Sequence, residues 1–239
     1  MTDAGHARRS AQPLAVDAIL FDLDGTLADT APDLAAALNR VRTDRGLEPV
    51  PAARLRSSSS HGARGLIGTG MGIAPEHPDY RELRDAFLAH YESALCVDTT
   101  LFADVDAMLG EIESRALKWG IVTNKATRYT MPLLELLGLG GRAGVVVCGD
   151  TTPHTKPHPA PLLAAATGLG VLPSRCVYVG DAERDVAAGV AAGMRTIVAR
   201  YGYIDAGENP ESWPADGAID DPGALLAWLP AVSPDTPQR

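Results

Sequence analysis

The chain has 239 residues, of which 46% are hydrophobic and 21% charged, with a formal net charge of −9. That length holds one large domain or a domain with an insertion, and that composition excludes global disorder. The negative charge disfavours nucleic acid and anionic membrane as partners, yet leaves room for an anionic small molecule wherever a metal and a lysine reverse the sign locally.

In chain order, residues 1–13 read as a disordered tail. Arg8-Arg9 is followed by Gln12, Pro13 and Asp17 and then directly by Asp22, so no apolar core of an export signal is expected. Ala18-Ile19-Leu20 is an apolar run of strand character that passes into Phe21-Asp22-Leu23-Asp24-Gly25-Thr26-Leu27. Residues i and i+2 of a strand point to one side, which starts Asp22 and Asp24 on the same face. Two anions that close repel each other and are costly to desolvate, and a divalent cation resolves the conflict. An ordinary strand end entering an Asp-Gly turn is the simpler alternative.

After Leu27 the pattern turns helical. Thr30 or Ala31 caps, Pro32 suits the first turn, and Leu34, Leu38 and Val41 share a face as far as Gly46. Glu48-Pro49-Val50-Pro51 is a break, and Ser57 to Gly65 reads as a serine- and glycine-rich turn. Tyr80, Leu83, Phe87, Leu88, Tyr91 and Leu95 mark a long amphipathic helix. Residues 31–98 carry no convincing strand and form a helical module.

From residue 99 helices and strands alternate. The strands are expected at Trp119–Thr123, Gly144–Cys148, Cys176–Val179, Thr196–Val198 and near Ala218-Ile219. The helices are expected around Val105–Ile112, Tyr129–Leu137, Ala160–Thr167, Arg184–Ala192 and Leu225–Leu229. This alternation predicts an α/β fold: a Rossmann-like, doubly wound parallel sheet with a small all-helical cap inserted after the first strand. The expected division is a core of 14–30 and 99–230, a cap of 31–98, and tails of 1–13 and 231–239.

In open parallel sheets ligands bind at the carboxyl ends of the strands. Those ends carry Asp22 and Asp24, then Thr123-Asn124, then Gly180-Asp181 with Asp185 one turn on, and Lys156 sits in a loop between them. Lysine occurs only at 118, 125 and 156, so its presence at 156 is informative. Cys96, Cys148 and Cys176 are an odd, widely spaced set that fits neither a disulfide framework nor a zinc knuckle and suits a reducing cytoplasm.

The order and spacing of these motifs resemble the haloacid dehalogenase superfamily of phosphohydrolases, in its phosphoglycolate phosphatase-like branch, over nearly the whole chain. The residues that carry the likeness are Asp22 to Leu27, Val122-Thr123-Asn124-Lys125, Lys156-Pro157, and Val179-Gly180-Asp181 with Asp185. The resemblance implies that Asp22 is the nucleophile, forming an aspartyl-phosphate, and that Asp24 is the general acid and base. It implies Mg2+ held by Asp22, the Asp24 carbonyl and Asp181, with Asp185 in support. Thr123, Asn124 and Lys156 would bind the phosphoryl group.

Within that superfamily, Asp24 argues for phosphate over halide, and the absence of lysine from 31–98 argues against Schiff-base phosphonate cleavage. A sugar-phosphate mutase shares the motifs, and a non-catalytic phosphate-binding module would usually have lost Asp22 or Asp24. In relatives of this branch the segment Ser60-His61-Gly62-Ala63-Arg64-Gly65 faces the substrate. Arg64 then pairs with a substrate carboxylate and His61 donates a hydrogen bond, or else both belong to a solvated turn.

Lys118-Trp119-Gly120 and Arg200-Tyr201-Gly202-Tyr203-Ile204, with Asn209-Pro210 and Trp213, are similar to the proteobacterial N-acetylmuramic acid 6-phosphate phosphatases. The expected substrate is thus a small carboxylated phosphate ester of the 2-phosphoglycolate type, with N-acetylmuramic acid 6-phosphate as the alternative. His154 and His158 admit a metal role or a place as solvated loop histidines.

Overall fold

The computed structural model describes residues 15–230; the expected tail at 1–13 and the segment 231–239 lie outside them. Strand β1, Ala18–Phe21, is apolar at every position and buried throughout, as a strand covered on both faces must be. It pairs in parallel with β4, Lys118–Val122, and with β6, Cys176–Gly180. With β5 (Val146–Val147), β7 (Arg195–Ala199) and β8 (Gly217–Ile219) these make a six-stranded sheet of order β5-β4-β1-β6-β7-β8, parallel throughout.

Alternation along the strands divides the core in two. Ile19, Phe21, Trp119, Ile121, Val177 and Val179 point to one face. There they meet Val105, Met108, Leu109 and Ile112 of α5 (Val105–Ser114) and Leu133 and Leu134 of α6 (Thr127–Leu136). Leu20, Val122 and Tyr178 point to the other face, onto α7 (Ala160–Leu169) and α8 (Glu183–Ala191). Each fully buried aliphatic or aromatic side chain contributes about 1.5–3 kcal/mol relative to exposure, so both faces are firmly covered.

Between β1 and α5 the chain makes a separate helical layer. Helices α1 (Ala31–Asp44), α2 (Ala52–Leu55), α3 (Gly62–Met71) and α4 (Tyr80–Ser93) share a cluster of Leu34, Leu38, Leu55, Leu66, Leu83 and Phe87. Tyr91 of α4 and Tyr129 of α6 continue that cluster toward the sheet, their rings 5.8 Å apart. The way out and the way back run side by side. Strand β2, Ala28–Asp29, pairs antiparallel with β3, Thr100–Leu101. Beside them the Asp33 carboxylate accepts the backbone N–H groups of Val97, Asp98 and Thr99 and the Thr99 hydroxyl.

Several local expectations are corrected. The glycine-rich turn at Ser57 to Gly65 is a 3-10 turn, Ser57–His61, running into α3. Leu66 and Ile67 bury one face of α3, and Gly70 lies so close to Leu38 that packing outweighs the helix-weakening glycines. Neither Thr30 nor a neighbouring side chain caps α1 in the expected way. The Thr30 hydroxyl goes to Asp24, and the Ala31 N–H donates to the Tyr203 phenol at 2.9 Å. The expected C-terminal helix around Leu225–Leu229 is a 3-10 segment, Pro222–Trp228. Among the described residues no helix is long and apolar enough to cross a membrane.

Candidate active site

Strand β1 ends at Phe21, one residue before the first carboxylate. The Leu23 carbonyl accepts from the backbone N–H groups of Thr26, Leu27 and Ala28, closing a tight turn around Gly25. Gly25 has φ +84°, and a Cβ there would overlap the Asp181 carboxylate, so only glycine fits. The strand stops short of both carboxylates, and the two take different partners. Asp22 points to the sheet's carboxyl rim. Asp24 Oδ1 turns to the Lys125 ammonium at 2.7 Å and the Thr30 hydroxyl at 2.6 Å.

Asp22, Asp181 and Asp185 offer carboxylate oxygens that lie within 4.8 Å of one another, all buried. The Lys156 ammonium has no exposed surface and lies 2.9 Å from Asp22 Oδ1 and 2.8 Å from Asp185 Oδ1. It also donates to the Val122 carbonyl at 2.9 Å and the Tyr178 phenol at 2.7 Å. Asp185 is filled by protein partners: Tyr178 donates to Oδ1, and the Ala182 N–H donates to Oδ2.

Asp181 receives the Tyr203 N–H on Oδ2 at 2.7 Å and forms no ion pair among the described residues. Asp22 Oδ1 also accepts the Leu23 N–H at 2.8 Å, and Oδ2 has no protein hydrogen bond among the described residues.

The electrostatics follow from that inventory. Burial pushes the Asp181 carboxyl up to about 8, and the neighbouring Asp185 and Asp22 charges add to the rise. Burial also raises Asp22, to about 6, against the pull of Lys156. Asp185 is held below its usual value, because Lys156 and Arg184 more than offset its burial. Burial works against the Lys125 charge, and the Asp24 carboxylate more than restores it. Two buried carboxylates with raised pKa values beside a third, one of them without a cation, are the donor set a hard divalent ion takes. Asp22 and Asp181 fit that role as ligands, and Asp185, already satisfied by protein donors, fits behind them.

Thr123 directly follows β4, nearly fully buried, and its hydroxyl accepts the Lys125 N–H at 3.1 Å. Asn124 spends its side chain on Lys156, donating to its carbonyl and accepting its N–H, both at 3.0 Å. The amide therefore fixes the Lys156 loop, and its second N–H remains for the substrate contact expected of Asn124, which borders the cavity described next.

A cavity of about 790 Å³ opens between this rim and the helical layer, lined by Asp22, Asp24, Thr123 and Asn124 from below. From above come His61 and Arg64, with an apolar wall of Phe87, Leu88, Tyr91 and Tyr129. Both expected helical-layer residues thus border the same space as Asp22. His154 and His158 lie elsewhere, exposed, with ring centroids 4.2 Å apart.

Sequence reasoning assigned no task to Lys125, Tyr203 or Arg184. Lys125 was visible as one of the three lysines inside a site motif, and Tyr203 as part of an unusual aromatic stretch. Arg184, between Glu183 and Asp185, reads as a helix-surface residue and gives no signal.

A family model described as haloacid dehalogenase-like hydrolase matches residues 19–199. The chain is 41% identical over 209 residues to an N-acetylmuramic acid 6-phosphate phosphatase of Pseudomonas aeruginosa, covering 87% of this chain and 92% of the relative. It is 43% identical over 220 residues to a phosphoglycolate phosphatase of Xanthomonas campestris pv. campestris, covering 91% and 97%. A crystal structure of "a predicted phosphoglycolate phosphatase" from Haemophilus somnus superposes with a TM-score of 0.77 at 26% identity, over 89% of this chain and 97% of that one.

Proposed function

The chain belongs to the haloacid dehalogenase-like hydrolase family, and on that premise we propose that it is a Mg2+-dependent phosphomonoesterase acting on a carboxylate-bearing phosphate ester through an aspartyl-phosphate. It is a phosphatase of that family. The observation that carries the finer reading is Asp22 itself. One of its oxygens is pinned by Lys156 and the Leu23 N–H, the other has no hydrogen bond among the described residues, and the residue borders the cavity.

Asp22 Oδ2 would attack phosphorus as the ester P–O bond breaks. Asp24 would protonate the departing oxygen, then take a proton from the water that hydrolyses the acyl phosphate, releasing inorganic phosphate and restoring the Asp22 carboxylate. For this Asp24 must rotate away from Lys125 and Thr30, its partners here. Thr123, which lines the cavity, would meet the phosphoryl oxygens, and Lys156, behind Asp22 and kept in place by Asn124, would supply its charge to them. When bound, Mg2+ would neutralise charge on the phosphoryl group, held by Asp22, the Asp24 carbonyl and Asp181.

2-Phosphoglycolate and N-acetylmuramic acid 6-phosphate both join a carboxylate to a phosphomonoester. A cavity of about 790 Å³ with an aromatic wall supports the larger of the two, since a two-carbon acid leaves most of it to water. The free cysteines support a reducing, cytoplasmic setting. The test is phosphate release from both compounds and from plain sugar phosphates, with Mg2+ and with Asp22→Asn as control. The reading predicts preference for a carboxylated member and silence in the control. Activity retained by Asp22→Asn, or isomerised sugar phosphate in place of free phosphate, rejects it.

A further inference from the structure

Arg184 is the second residue of α8 and stands between the acid cluster and the helical layer. Its Nη2 crosses the seam to the Ser60 hydroxyl, 2.9 Å away, on the 3-10 turn that ends in His61. That is its one protein hydrogen bond among the described residues, and it forms no ion pair there. The arginine side chain has five N–H donors in a fixed planar fork, so most of its donor capacity is unused. It is only partly exposed and lines the same cavity as Asp22. Three buried carboxylates act on its charge, yet its one hydrogen bond among the described residues goes to a neutral hydroxyl, which leaves N–H donors for an anionic oxygen in the cavity.

The other cations around the cavity are placed differently. Lys156 lies beneath Asp22 with no exposed surface, and Lys125 is taken by Asp24. Arg64 and Arg128 are exposed at the rim, and Arg84 leans on Asp85 at 3.6 Å. Arg184 alone is anchored at one edge by a hydroxyl from the opposite layer, with its fork beside the space above Asp22. Any group esterified to a phosphate on Asp22 must pass between that oxygen and the helical layer, alongside this guanidinium. Its charge also reaches Asp22, Asp181 and Asp185, lowering the pKa of each.

We propose that Arg184 is the specificity-determining residue for the substrate's carboxylate, binding it through two parallel N–H donors while Ser60 holds the outer edge of the fork. The inference rests on the carboxylated-ester reading above and says which residue enforces it. Arginine suits this task better than lysine, because its planar fork matches a carboxylate bidentately.

The test uses the full chain with Mg2+ and two matched pairs: 2-phosphoglycolate against ethyl phosphate, and N-acetylmuramic acid 6-phosphate against N-acetylglucosamine 6-phosphate. The variants are Arg184→Met, Arg184→Lys and Ser60→Ala, each checked for an unchanged melting profile. Arg184→Met should lower kcat/KM on the preferred carboxylated member about 10- to 100-fold, mainly through KM, the loss expected for a charge-assisted bond.

The matched ester without the carboxylate should lose at least about fivefold less than the carboxylated member, so that the preference itself falls, since removing the charge near Asp22 affects both esters alike. Arg184→Lys should recover part of the loss, and Ser60→Ala should give a smaller loss of the same kind. Wild type that shows no preference for either carboxylated member overturns both the substrate reading and this inference. Wild type that prefers the carboxylate, with Arg184→Met and Arg184→Lys preserving that preference, overturns the inference alone. An equal loss on both members of a pair does the same, since it places Arg184 in phosphoryl chemistry.

Discussion

Tyr203 gives its backbone N–H to Asp181 at 2.7 Å and, through its phenol, holds the first residue of α1, accepting the Ala31 N–H at 2.9 Å. The same phenol donates to Asp29 Oδ1 at 2.9 Å, and Arg56 pairs with that carboxylate while lying over the tyrosine ring. One residue therefore joins the acid cluster to the root of the helical layer.

Tyr203→Phe removes the phenol bonds and spares the backbone bond to Asp181. It leaves the Ala31 N–H of α1 unsatisfied, which costs about 1–3 kcal/mol. For a chain of this size that is a fall in Tm of roughly 2–10 °C, measured by thermal unfolding. Turnover of an aryl phosphate should stay within about tenfold of wild type, because the Asp181 contact persists. A loss of all turnover with Tm unchanged would place the hydroxyl in the chemistry instead.

Asp24→Asn separates the two halves of the proposed reaction. An aryl phosphate has a leaving group that needs no proton, so phosphorylation of Asp22 should proceed, while water attack slows by about 10²–10⁴ for want of a base. Rapid-quench measurement should show a burst near one equivalent of phenol per site, followed by slow turnover. A linear trace at the wild-type rate rules Asp24 out as the base.

Lys156→Met leaves Asp22 and Asp185 buried without their cation. Breaking a buried pair from one side costs about 3–5 kcal/mol, far more than the surface change Arg195→Met, whose pair with Asp216 is largely exposed. Chemical denaturation of the two variants should show that contrast. Comparable midpoints would mean that Lys156 contributes little to holding the cluster.

Removing metal should make stability pH-dependent with a definite sign. Asp181 sits near 8 against an ordinary value of 3.8, and Asp22 near 6. A carboxyl whose pKa is raised on folding contributes stability that is complete below about pH 4 and is lost as pH climbs through the folded value. Protein treated with a chelator should therefore melt lower at pH 8.5 than at pH 5.5. Added Mg2+ should raise Tm more at the higher pH, where its ligands are already ionised. A chelated protein whose Tm is flat over that range contradicts the uncompensated burial of Asp181.

The sheet was readable because each strand is a short, continuous apolar run bounded by glycine, proline or polar residues, as at Ala18–Phe21 and Cys176–Gly180. Its rim followed from topology, since parallel strands deliver their carboxyl ends to one edge. The different partners of Asp22 and Asp24 were not readable. They depend on where hydrogen bonding to β6 ends and on the three N–H groups gathered by Leu23, neither of which has a period. Helix α3 was hidden by its glycines, and strands β2 and β3 by having only two residues each. Arg184 could not be singled out, because its meaning lies in Ser60, a residue 124 positions away that only tertiary packing supplies.

The short β2–β3 ribbon and the Asp33 clasp beside it hold the two ends of the intervening segment next to each other. A loop whose ends are already joined adds closure entropy only logarithmically with its length. The ribbon is thus a splice point in the evolutionary sense. What hangs from it can be lengthened, shortened or replaced by a different module while the sheet and its acidic rim fold as before. A lineage needing a new leaving-group specificity could change the hanging part and inherit the phosphorus chemistry intact.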